Sequence, residues 1–245
     1  MTRTLIWALA LPLVLTSCST DDDTEMTITV SAAASLSDAF TEIGASFMQA
    51  NPEVTVRFNF GGSSSLAEQI NAGAPVDVFA AASVASMEST IEAGTIQTPR
   101  IFVTNRLAIA VPSGNPADIG ELADLQNDDV TLVVCNDIVP CGAATRTLFD
   151  QNNLSVNPAS LESDVRAVLT KVIADEADAG IVYQTDVTAA GDQIEGIAIP
   201  EDINVVNEYP IAVTNESTAG SQAFVDFVLS DEGQEILRKW GFLSP

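Results

Sequence analysis

The sequence predicts an α/β protein of two lobes, each a mainly parallel sheet flanked by helices. Three observations lead there. From Thr27 onward, short β-rich runs alternate with segments of helical period, the pattern of parallel strands covered by helices. Near Asn105 this pattern restarts with a second set of strands and helices. A late strand then precedes a helical C-terminus, so the chain crosses between the halves more than once. A length of 245 residues fits one large domain or two small lobes, and 47% apolar residues suffice for a core.

In the first half, "TITVSAAAS" is a short β-rich run. Leu36, Phe40, Ile43 and Phe47 then recur at helical spacing until Asn51-Pro52 stops the helix. "EVTVRFNF" alternates as a strand, and "GGSSSLAEQINAG" turns into a short helix ended by Gly73. "VDVFAAA" is a third strand, followed by the helix "ASMESTIEAG", closed by Gly94. In the second half "NRLAIAVP", "VTLVVCN" and "AGIVY" read as strands, and "GAATRTLFDQNN" and "DVRAVLTKVIADE" as helices. "EYPIAVT" is the late strand. The stretch from Gly220 to Phe242 is helical and amphipathic, with Phe224, Phe227, Val228 and Leu229 on its apolar side.

Composition excludes several functions. There are 34 acidic residues against 9 basic ones, a net charge of −25, so the clustered cations that nucleic acid requires are missing. There is no histidine, which removes Ser-His-Asp and Cys-His catalysis and most zinc sites. A serine hydrolase built on "GGSSS" would lack its base, and neither Lys171 nor Lys239 sits in an SxxK setting. The chain is therefore expected not to be an enzyme and to need no cofactor.

The N-terminus predicts export. Arg3 precedes an apolar run, Leu5 to Leu15, too short to span a bilayer. The run ends in Leu-Thr-Ser-Cys and so resembles a bacterial lipoprotein signal, with residues 1–17 removed and Cys18 lipidated. An ordinary signal peptide with a chance cysteine is the alternative, and it too exports the chain. Residues 18–25 read as a solvated tether.

Export bears on "CNDIVPCGAA", residues 135 to 144, whose two cysteines stand six positions apart. In an oxidising compartment a nearby pair is expected to form a disulfide. A free, oxidisable thiol and a two-cysteine metal site are the rivals, the latter starved of ligands without histidine.

Four places share one local grammar: a strand ends, a loop of small or polar residues follows, and a helix begins. They are "AAASLSD" around Ser35, "FGGSSSLA" around Ser63, "IVPCGAAT" around Cys141 and "ESDVRAV" around Val165. Taken singly, each has an ordinary reading: a serine before a helix is usually its cap, and Gly61-Gly62 followed by three serines can be a flexible turn. Together they offer four sets of unpaired amide N–H groups at positive helix ends, which on one crevice would cage an anion. Arg146 and Arg166 lie near these loops, but each sits in a helix start and is open to an acidic neighbour or to solvent.

The segments "ITVSAAASL", "FGGSSSLAEQINAGAPVDVF", "VPCG", "SDVRAVL", "AGIVYQTD" and "EYPIAV" together resemble the molybdate-binding proteins of bacterial ABC importers. The resemblance runs from about Met26 to Phe242. It implies a type II periplasmic-binding-protein fold whose hinge is two crossing strands. Lobe one would comprise residues 26–105 and 209–245, and lobe two residues 106–208. The implied ligand is molybdate or tungstate, held by the hydroxyls of Ser35, Ser63 and Tyr183 and by the N–H groups of Cys141 and Val165. Ser64 is the alternative if the second loop shifts by one. No metal cation is implied. The partners would be a membrane permease and, through Cys18, the membrane itself; the protein would be an extracytoplasmic monomer.

Such a set contains donors only, which suits a fully deprotonated tetrahedral dianion. Phosphate would need an acceptor for its proton, for which Asp38 and Asp164 are candidates, although acids at helix starts more often serve the dipole. Sulfate remains an alternative ligand, and a sensor or interaction role on the same fold remains an alternative function. The resemblance also places a cysteine, Cys141, where alanine is common.

Overall fold

The computed structural model describes residues 26–96 and 98–245. The leader, the tether and Cys18 lie outside the described residues. Strand β1 (Met26–Ala33) leads through a 3₁₀ turn, Ala34–Leu36, into α1 (Ser37–Ala50). Next come β2 (Val54–Gly61), α2 (Ser63–Asn71), β3 (Val78–Ala80) and α3 (Val84–Glu92). The long β4 (Arg100–Pro112) crosses into the second half. There the chain forms β5 (Leu132–Cys135), α4 (Pro140–Gln151), β6 (Ser160–Glu162) and α5 (Val165–Ile173). It continues with β7 (Ala179–Tyr183), α6 (Gln184–Ala190) and β8 (Ile194–Ala198). Strand β9 (Val206–Val213) returns to the first half, and α7 (Ser221–Leu229) and α8 (Asp231–Lys239) finish the chain.

The strands run in the order β2-β1-β3-β9-β4-β7-β5-β6, with β8 on β4. In the first half β1 pairs in parallel with β2 and β3; in the second β5 pairs in parallel with β6 and β7. The two halves are joined by the antiparallel β4 and β9. Residues 100–106 of β4 pair with β9, whereas residues from 107 onward pair with β7 and β8. This is the two-lobe type II arrangement, with two strands passing between the lobes.

Each half has its own core. Leu36, Phe40, Ile43 and Phe47 are all buried, as their spacing predicts. The Phe40 ring sits 5.9 Å from that of Phe102 and 6.2 Å from those of Phe58 and Phe224, in tilted or edge-on contact. Phe224 and Val228 are buried in this cluster, with Phe227 and Leu229 packed on it half-buried. In the second half Ile109, Val133, Leu148, Val168 and Ile181 form a separate cluster.

The structure adds elements that periodicity does not reveal. Strand β4 starts five residues before "NRLAIAVP", because a buried polar residue, Asn105, interrupts its apolar run at the crossover. β6 is three residues long, and β8 shows most of its residues to solvent, so neither offers a clear pattern. The C-terminal stretch is broken at Ser230, whose hydroxyl donates to Phe227 O at 2.7 Å and caps α8 by accepting from Gly233 N.

Candidate functional site

The helix starts read from the sequence meet between the halves, at the C-terminal ends of strands, where ligands of open α/β sheets bind. Ser35, Gly62 and Ser63 come from one side, and Cys141, Val165 and Tyr183 from the other, around a narrow cleft. Asp164 is the acid on its wall. The first turns after β1, β2 and β5 have no side-chain cap, so their leading amides are left without an intrahelical partner. The fourth helix, α5, is capped by Asp164, which accepts from Ala167 N at 3.0 Å.

Each hydroxyl on the cleft is held by a neighbour. Ser63 Oγ accepts from Ala82 N at 2.9 Å. Ser35 Oγ lies 2.8 Å from the Tyr209 hydroxyl. Tyr183 Oη accepts from Asn207 Nδ2 at 2.9 Å. Both tyrosines are fully buried, and burial pushes their phenols well above the usual range, so both stay protonated. Beside Asp164 and several small apolar side chains, the polar groups of the cleft wall are thus neutral hydroxyls and amides. Such a wall suits an acidic protein, because local dipoles attract an anion at close range while salt screens the outer charges beyond roughly 8 Å.

Cys135 and Cys141 are joined by a disulfide across 5.7 Å between Cα atoms. It ties the end of β5 to the first turn of α4 and turns the Cys141 sulfur away from a role as thiol or metal ligand. Among the described residues no group of three acidic, cysteine or histidine side chains is placed to hold a metal.

Ser64 does not line the cleft. Its hydroxyl donates to Ile138 O at 2.7 Å, a bond from one half to the other. Neither arginine near the loops lines it either. Arg146 faces Asp137 at 3.2 Å and Asp150 at 3.9 Å. Arg166 binds Asp38 of α1, donates to Ser37 Oγ at 3.1 Å, and lies 3.5 Å from Asp186 Oδ1. The two halves are therefore latched together beside the cleft.

Asp186 is a site neighbour that sequence reasoning missed. It is fully buried, and its Oδ2 accepts from Tyr183 N at 3.0 Å. Its Oδ1 makes no hydrogen bond, only the longer pairing with Arg166. Burial raises its pKa to about 7, against the lowering pull of Arg166. The folded protein then keeps a proton that the unfolded chain releases near 3.8, so stability falls as pH rises through that window and levels off above about 7. Asp186→Asn is expected to flatten this fall by up to about 1.4 kcal/mol per pH unit. Urea midpoints of both proteins between about pH 4 and 8 check it; parallel profiles would refute it.

Asn105, Asn207 and Tyr209 also escaped notice. Their one sequence signal is a polar residue inside an otherwise apolar strand.

Comparison with known proteins places this geometry. A family described as bacterial extracellular solute-binding protein matches residues 28–243. The molybdate-binding protein ModA of Mycobacterium tuberculosis is 43% identical over 221 residues, spanning 89% of this chain and 85% of that protein. The solved periplasmic molybdate-binding protein of Azotobacter vinelandii superimposes with a TM-score of 0.79 at 17% identity, covering 89% of this chain and 99% of that one. The sulfate-binding protein SubI of M. tuberculosis does so at 0.78 and 19% identity, covering 89% and 86%. The last two likenesses speak for the fold alone and do not choose between oxyanions.

Proposed function

The chain belongs to the bacterial extracellular solute-binding protein family, and from that premise we propose that it captures molybdate or tungstate outside the cytoplasm and delivers it to the permease of an ABC importer. Members of this family bind solutes and are not enzymes. The observation that carries the ligand reading is the chemistry of the cleft: neutral hydroxyls and helix-start amides converge on it from both halves. The similarity to ModA proteins supports it.

The donors are the hydroxyls of Ser35, Ser63 and Tyr183 and the N–H groups of Cys141 and Val165. Residues 26–105 with 209–245 form lobe one, which supplies the two serines; residues 106–208 form lobe two, which supplies the rest. An anion touching both sets bridges the lobes and favours their closure, with β4 and β9 as hinge. Cys18 carries the lipid that keeps the monomer at the membrane surface.

Calorimetric titration with molybdate, tungstate, sulfate and phosphate tests this. Molybdate or tungstate is expected to bind with micromolar or tighter affinity. At a hundredfold excess over Kd the ligand should add about 2.7 kcal/mol, an upshift of roughly 5–10 °C that disappears on dialysis. An upshift with phosphate or an organic acid but none with molybdate or tungstate would overturn the ligand reading.

A further inference from the structure

One guanidinium serves carboxylates of both lobes. Arg166, at the start of α5 in lobe two, binds Asp38 in the first turn of α1 in lobe one and donates to Ser37 Oγ at 3.1 Å. Its other terminal nitrogen, Nη1, lies 3.5 Å from Oδ1 of Asp186, in its own lobe. That oxygen is buried and has no hydrogen bond. We propose that Arg166 is a latch shared between the lobes, and that closing them round an anion draws a proton onto Asp186. The proposal rests on the reading of the protein as a two-lobe anion receptor.

Closure changes the surroundings of Asp186. With the lobes apart, Asp38 is out of reach and the whole guanidinium is free to turn onto Asp186, whose carboxylate is then paired and ionised. With the lobes together, Asp38 and Ser37 hold Nη2, and Asp186 Oδ1 is left facing Nη1 at a length beyond a good hydrogen bond. Asp38 also brings a second negative charge to the same cation. A buried carboxylate that shares its counter-charge with a like charge is driven to take up a proton. A dianion in the neighbouring cleft pushes the same way.

The groups around Asp186 fit this. From α5 it faces Arg166 and Asp164, from α1 Asp38, and from β7 and β9 the protonated phenols of Tyr183 and Tyr209. Arg166 is the one cation of this set. Arg106 of β4 is engaged elsewhere, with Glu201 at 2.5 Å, as are Glu195 of β8, with Gly114 N at 2.7 Å, and Lys171 of α5, with Glu162 at 2.6 Å. With the lobes latched, burial raises the Asp186 pKa to about 7; Arg166 and the Tyr183 N–H pull it down, and Asp38 and Asp164 push it up. A group whose pKa is higher in the closed state favours closure at low pH. Anion affinity is therefore fullest below the open-state pKa and is lost as pH rises through about 7.

Calorimetry of molybdate, tungstate and sulfate in buffers of different ionisation enthalpy counts the protons taken up on binding. None of these anions carries a proton of its own at about pH 7, so the count reports on the protein. The wild type is expected to take up about 0.2 proton or more per anion at about pH 7, and its affinity to fall about fivefold between about pH 6 and 8. An uptake below that would overturn the proposal and leave the oxyanion reading standing.

Two variants locate the proton. Asp186→Asn has no carboxylate to protonate, and Asp38→Asn leaves the guanidinium to Asp186 in both states. Each should lose more than half of the uptake, and Asp186→Asn should bind with nearly level affinity over the same pH range. Asp38 is a half-buried side chain at a helix start, so Asp38→Asn carries the test if Asp186→Asn does not fold. Uniform weakening at every pH with the proton count kept would mean a structural role only and overturn the proposal. A wild type that binds sulfate and not molybdate or tungstate would refute the ligand reading alone, with protons then counted on sulfate. Binding of none of the three would overturn both.

Discussion

Gly142→Ala is expected to lower stability by about 3 kcal/mol or more and to abolish tight anion binding with it. Gly142 follows the disulfide-bonded Cys141 in the first turn of α4. A Cβ there would stand 1.8 Å from Asn136 O, 2.3 Å from Asn136 C and 2.8 Å from Asp137 N. All three are backbone atoms, so no side chain can swing aside. The loop after β5 is drawn onto the helix on one side by the disulfide and on the other by the absence of a side chain at 142. An added methyl must push the two apart, and the Cys141 N–H moves with the helix start. Thermal melting should fall by roughly 6–12 °C for a chain of this size. A shift below about 2 °C with unchanged molybdate affinity would show that the loop yields freely.

Gly62→Ala is expected to act on binding and to spare the fold. Gly62 has φ −64° and ψ 128°, which alanine adopts without strain, so its own half has no objection to a Cβ. The obstruction comes from the opposite half, where Ser163 O would lie 2.6 Å away. The clash exists only while the halves meet, so the substitution should favour separated lobes. Molybdate affinity should drop about a hundredfold, equivalent to about 2.7 kcal/mol, while ligand-free melting changes by less than about 2 °C. Calorimetry beside a melting curve distinguishes the outcomes. Loss of stability without loss of affinity would mean that Gly62 serves its own lobe.

Local features of this protein were legible in the sequence. The spacing of Leu36, Phe40, Ile43 and Phe47 identified a helix face that is buried, because an apolar stripe at period 3.6 has few other uses. The four helix starts were legible for a similar reason: small residues and glycine are what a strand-to-helix turn needs. Their capacity as donors follows from the unpaired amides that every helix start exposes. Elements without such a stripe were not legible. β8 is solvent-exposed on most positions, and β4 hides its crossover behind Asn105, a polar residue whose burial makes sense only with Thr185 and Tyr209 beside it.

"CNDIVPCGAA" divides along the same line. That two cysteines of an exported chain should pair is a matter of compartment and proximity, and the sequence alone carried it. That Gly142 must be bare depends on how closely the Asn136 carbonyl approaches, which only packing decides. The same holds for the cleft. Sequence supplied serines at helix starts and a tyrosine at a strand end. What holds those hydroxyls lies far along the chain: Tyr209 is 174 positions from Ser35, and Asn207 is 24 from Tyr183. A hydroxyl gives or takes according to its neighbours in space, and those neighbours arrive only when β9 folds back between the two halves.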